Sequence, residues 1–189
     1  MPYSLLTATA PFTLGEIQTS KRGQKFQVIQ PATLWQLTDM DNPFFCPFGA
    51  NVFKGDGTET RLNLDVRVDD ATANIFRAMD LRFKELIGPQ KSQYHNLVHE
   101  DAEYGPRIRM KVSCTGLGAA MLWSPDKKRL GTCKEYETKG ASIVPVAMFT
   151  KVWYMGGMHG ITLEMRHAII TQAAEEADFD WPVQQDDPF

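Results

Sequence analysis

The sequence predicts a mainly β protein, a barrel or sandwich of about seven strands interrupted by one helix. Two stretches, 60–68 and 106–114, alternate cleanly between apolar and polar side chains, as half-buried strands do. One stretch, from Asp70 onward, carries apolar residues at three-to-four spacing instead. Glycine and proline punctuate the rest, with none of the strand–helix–strand alternation of a parallel sheet.

Residues 1–25 read as a strand or extended arm ending in a basic, solvent-exposed turn over 19–25. Two short β-type runs follow, 26–30 and 33–37, broken at Pro31, which has no N–H to give a central ladder. Residues 39–49 form a loop by their prolines and glycine, yet hold Phe44, Phe45 and Phe48. Such rings either fold back on the core or face a ligand, and burial is the commoner fate of phenylalanine. Gly55-Asp56-Gly57 marks a turn. In 60–68, Leu62, Leu64, Val66 and Val68 share one side while Arg61, Asn63, Asp65 and Arg67 share the other. Asp69 or Asp70 then caps a helix whose stripe is Ile75, Phe76, Met79, Phe83, Leu86 and Ile87, and Gly88-Pro89 ends it. A stripe that wide packs on a sheet or plugs a barrel end.

After an irregular polar stretch over 90–105, the strand at 106–114 sets Ile108, Met110, Val112 and Cys114 on one side. Arg107, Arg109, Lys111 and Ser113 take the other. Three cations in a row predict a positive groove, since a strand face that only met water would mix both signs. Trp123 begins a loop that also carries Lys127, Lys128 and Arg129, and residues 133–138 read as a further strand. Residues 142–170 read as two long strands joined at Gly156-Gly157 and Gly160, with Lys151, Trp153 and Tyr154 exposed just before the turn. Both parities of the first strand are largely apolar: Val144, Val146, Met148, Val152 and Tyr154 on one, Ile143, Ala147, Phe149 and Trp153 on the other. One face belongs to the core. The other is a ligand platform or a subunit interface.

The 20 Lys and Arg oppose 23 Asp and Glu, but six of the acids fall from Glu175 onward, where no Lys or Arg occurs. The body before that point therefore holds 20 basic and 17 acidic residues, a mildly basic domain with an acidic interaction tail. Cys46, Cys114 and Cys133 are an odd, scattered set with no CxxC pair, so they read as reduced, partly buried thiols of a cytosol-like compartment. No apolar run reaches the roughly 18 residues of a membrane span. The N-terminal stretch has no basic segment ahead of its short apolar run, so secretion is not expected either.

Signals for catalysis are missing. There is no phosphate-binding loop and no GxSxG elbow, and Gly116-Leu117-Gly118 lacks the third glycine and the following helix of a dinucleotide fingerprint. His95 and His99 lie four apart and Glu100 follows, but no third ligand is near and HExxH needs its glutamate between the histidines. The expectation is a non-catalytic protein with no cofactor and no metal site.

Binding has more behind it. A single strand of nucleic acid needs cations along a groove and aromatic faces for its bases, each stacked base being worth roughly 1–3 kcal/mol. The candidate cations are Arg107, Arg109, Lys111, Lys127, Arg129 and Lys151, and the candidate rings are Trp123, Phe149, Trp153 and Tyr154. Those residue types serve DNA and RNA alike. The alternative is a structural or assembly protein that uses the apolar hairpin face between subunits.

Three runs carry a family resemblance: LNLDVRVDDATANIFRAMDLRFKELI, SIVPVAMFTKVWYMGGMHGITLEMRHAIITQ and the ending DFDWPVQQDDPF. Together, over about half the chain, they make it resemble the single-stranded DNA-binding proteins of phage replication, of the kind found in T-odd podophages. The resemblance implies an OB-fold-like Greek-key barrel over residues 1–172 with its helix inserted mid-barrel, and a disordered acidic tail over 173–189. It implies a protein that coats single strands in DNA replication, recombination or repair, in the cytoplasm or at the host nucleoid. The tail would contact a polymerase or helicase through Asp186, Asp187 and Phe189, shield the groove when no DNA is bound, and, as tails of this family often do, support a homodimer.

Overall fold

The computed structural model describes residues 3–51, 59–103 and 105–173. The expected turn at Gly55-Asp56-Gly57 and the tail residues Asp186, Asp187 and Phe189 lie outside the described residues. In chain order come β1 (Ser4–Leu5), β2 (Thr13–Thr19), β3 (Lys25–Gln30), β4 (Trp35–Gln36), β5 (Phe44–Phe45), β6 (Ala50–Asn51), β7 (Arg61–Arg67) and the helix α1 (Asp70–Ile87). Then follow β8 (Gln93–His95), β9 (Val98–His99), β10 (Arg107–Ser113), β11 (Met121–Trp123), β12 (Arg129–Gly131), β13 (Ser142–Met155) and β14 (Met158–Gln172). Strands outnumber the expected seven because many are two or three residues long, too short to show a period.

The ladder runs β13–β5–β7–β10–β14, and β14 pairs back with β13, so five strands close into a ring. This is a mainly β, OB-like barrel with one helix inserted between β7 and β10. Antiparallel register sets Leu62, Leu64 and Val66 of β7 opposite Val112, Met110 and Ile108 of β10, all buried. Gly156 and Gly157 close the β13–β14 hairpin with φ of 59° and 76°, the positive values a tight hairpin turn demands. The strand expected at 133–138 is not formed. The N–H groups of Glu135 and Tyr136 both donate to the Thr132 carbonyl at 3.0 Å, and the Glu135 carboxylate accepts the Thr132 N–H at 2.7 Å. That segment is a turn, and the strand lies just before it, at β12.

Helix α1 begins where the Asp69 carboxylate accepts the Thr72 N–H at 2.7 Å, a cap worth about 1 kcal/mol. Phe76, Met79 and Phe83 are buried, while Leu86, at the end of the expected stripe, is exposed. The rings of Phe12, Phe76 and Phe83 surround Phe149, with centroids 5.2 to 6.5 Å from it. This corrects the expectation that Phe149 stacks bases: it is 1% exposed, in the core under the helix. The cause is a bulge. Phe149 pairs with Leu163 and Lys151 with Thr162, so β13 carries an extra residue between them. Phe149 and Val152 therefore both point inward, and Lys151 and Trp153 point out.

Residues 143–147 are buried on both faces within the chain itself. That removes most of the apolar surface on which a hairpin-to-hairpin subunit interface would rest, leaving Met155 and Met158 exposed at the tip. Cys46, Cys114 and Cys133 are buried free thiols. No helix among the described residues is long and apolar enough to cross a membrane.

Candidate nucleic-acid interface

On the outer surface, side chains of one parity converge from four adjacent strands. β10 contributes Arg109 and Lys111, β13 contributes Lys151 and Trp153, and β3 contributes Phe26, directly opposite Trp153. Between them runs β14, with Gly160 opposite Trp153 and Thr162 opposite Lys151. These strands leave a groove of about 580 Å³, lined from β14 by Ile161, Thr162 and Leu163 and closed on one side by the segment from His95 to His99.

Gly160 is what lets the tryptophan lie down. A Cβ at this position would sit 2.9 Å from the Trp153 ring and 3.1 Å from the His95 carbonyl oxygen. Parallel pairing of β8 with β14 sets His95 beside Gly160. Its ring centroid is then 6.1 Å from that of Trp153 and 4.8 Å from that of His99. Helix α1 secures this wall through Asp80, which is buried and accepts from the Tyr94 hydroxyl at 2.8 Å and the Leu97 N–H at 3.0 Å. Burial pushes the Asp80 carboxyl above its ordinary range, and these donors and Lys84 oppose that push.

Charge in the groove is less one-sided than the sequence suggests. Arg109 closes its fork on Asp65, with Nε at 2.7 Å and Nη2 at 2.8 Å. Arg107 lies outside the groove: it binds Asp101 at 2.6 Å, stands 3.9 Å from Asp65 and covers the Phe48 ring at 5.2 Å. The expectation that three cations form an unopposed row is thereby corrected. Register sets Asp65 of β7 across from Arg109, so the counter-charge comes from the neighbouring strand. Lys111 donates to the neutral Asn63 at 2.6 Å, and burial, then the nearby Arg109 and Arg61, push its pKa down. Lys25 and Lys151 form no ion pair among the described residues, and the Lys151 ammonium lies 5.8 Å from the Phe26 ring centroid.

Of the residues singled out in the sequence, Arg109, Lys111, Lys151, Trp153 and Tyr154 line this groove. Tyr154 lies at its edge, its ring stacked 5.8 Å from His159 and its hydroxyl donating to Gln27 Oε1 at 2.6 Å. Trp123, Lys127 and Arg129 are placed elsewhere. β11 joins β14 with Trp123 beside Ile169, and nine strand positions from Gly160 amount to roughly 30 Å. Lys25, Phe26, His95 and His99 line the groove and were not among the predicted site residues. The β3–β13, β8–β14 and β9–β10 pairings bring them there, and no local pattern signals those pairings.

No protein-family model matches the chain, and no curated protein matches it. Among solved structures the chain is similar to gp2.5, a single-stranded DNA-binding protein encoded by bacteriophage T7. That likeness has a TM-score of 0.52 and 9% identity over 88% of this chain and 98% of that one. It is also similar to the single-stranded DNA-binding protein of bacteriophage Enc34, with a TM-score of 0.48 and 10% identity over 90% of this chain and 96% of that one. At such identity the likeness to gp2.5 establishes a shared fold.

Proposed function

We propose that the groove binds single-stranded DNA, largely without regard to sequence, and that the protein acts without catalysis in DNA replication, recombination or repair inside the host cell. One observation carries this reading: Trp153 and Phe26 stand side by side in a groove that also holds Lys25, Lys111 and Lys151. Rings supply faces for bases and ammonium groups meet phosphates. The fold shared with gp2.5, itself a single-stranded DNA-binding protein, supports the same reading.

The test is quenching of tryptophan fluorescence by oligo-dT over a salt series, with oligo-U and duplex DNA for comparison. Log affinity is expected to fall linearly with log salt, by about 0.7 per phosphate neutralised on a single strand. Lys151→Ala should flatten that slope by about one such contact. Salt-independent binding, or none, by a folded protein rejects the proposal.

The proposal extends to the tail. Six carboxylates beyond residue 174 compete with phosphate for the same cations, and Asp186, Asp187 and Phe189 form the tip offered to a polymerase or helicase. Removing residues 175–189 is expected to tighten oligo-dT binding at low salt and to abolish recruitment of that partner. An unchanged salt titration of the truncated protein rejects the shielding.

A further inference from the structure

We propose that His95 and His99 form a protonatable phosphate seat in the groove, so that binding a single strand takes up a proton at this pair. The inference rests on the proposed function and deepens it. Two imidazoles with centroids 4.8 Å apart line the groove, and one of them also faces Trp153 at 6.1 Å. A phosphate between bases stacked on Trp153 would fall within reach of these rings.

The surroundings make the proton conditional on the phosphate. His99 faces His95 from β8, Arg107 and Arg109 from β10, and Asp65 from β7. Asp65 is itself bound to Arg109, and Asp101 is bound to Arg107, so both carboxylates near His99 are already engaged by those cations. Lys111, Lys151 and Lys25 add positive charge from the rest of the groove. Helix α1, packed behind this wall, presents Arg77 paired to Glu100 and Lys84 over the Tyr94 ring. Burial first, then His95 and Arg109, lower the His99 pKa and so disfavour its imidazolium in the free protein. An arriving phosphate reverses the sign of the local field. It favours the imidazolium, which then donates from both ring nitrogens where the neutral ring donates from one.

The sign follows from that. A group whose pKa is higher in the complex than in the free protein strengthens binding as pH falls, by at most about tenfold per pH unit for each proton taken up. Oligo-dT affinity at constant salt is therefore expected to rise about threefold to tenfold from pH 8 to pH 6. Titration calorimetry at pH 7 in PIPES and in Tris buffer should show net proton uptake through the difference in apparent heats. The double variant His95→Gln/His99→Gln should bind with nearly the same affinity at pH 6 and pH 8. His159 and His167 are unchanged in it and serve as internal controls, one buried with Ser92 Oγ at 2.8 Å from Nδ1, the other on β14 beside β11. Should the double variant fold poorly, the single variant His99→Gln gives the same readout. Wild-type affinity equal at pH 6 and pH 8, or pH dependence retained by the variants, overturns the inference and leaves the proposed function standing. Absence of oligo-dT binding at every pH overturns both.

Discussion

Trp153→Ala is expected to weaken oligo-dT binding by about 5- to 150-fold, the equivalent of roughly 1–3 kcal/mol for one stacked base. The ring is only half-buried, so its loss removes little from the core. It lies on the bare backbone of Gly160 and beside Phe26, which hold its plane before any ligand arrives. A ring already held in place loses little side-chain entropy on binding, which is why one indole carries so much of the affinity. Denaturant unfolding run alongside separates the two effects. Equal affinity for the variant and the wild type, both folded, would remove Trp153 from the interface and with it the main support for the groove.

Phe149→Ala should act in the opposite way. Four phenylalanine rings meet under helix α1, and emptying the central one costs about 3–5 kcal/mol of stability through lost burial and the cavity left behind. That is a large part of the roughly 5–15 kcal/mol that holds a domain folded. Urea unfolding of Phe149→Ala at low temperature measures it, and Phe149→Leu provides a milder variant that keeps the fold. Binding of oligo-dT by the folded Phe149→Leu protein should stay within about twofold of wild type, since no atom of Phe149 reaches the groove and remote surface contacts are little disturbed. A loss of affinity without loss of stability would return Phe149 to the interface.

The contrast between these two positions shows what a sequence pattern carries and where it stops. Strands β7 and β10 were legible because seven residues of strict alternation leave one register that buries the apolar side. Helix α1 was legible because its cap, its stripe and its glycine stop agree. Phe149 was misplaced because parity counting assumes an unbroken ladder, and one bulge shifts every later residue to the other face. The charges of β10 were legible one by one, but their neutralisation was not, because Asp65 stands 44 positions away in the chain from Arg109.

By itself the sequence determined a mainly β body with one helix, an aromatic and basic stretch at Lys151, Trp153 and Tyr154, and an acidic ending. Local period and composition settle these because each is decided within a few residues of chain. The tertiary structure decided which cations are ion-paired among the described residues, which rings face out, and that Lys25, Phe26, His95 and His99 join Trp153 in one groove. Such juxtapositions depend on register between distant strands, and register follows from the buried faces of the whole barrel closing together.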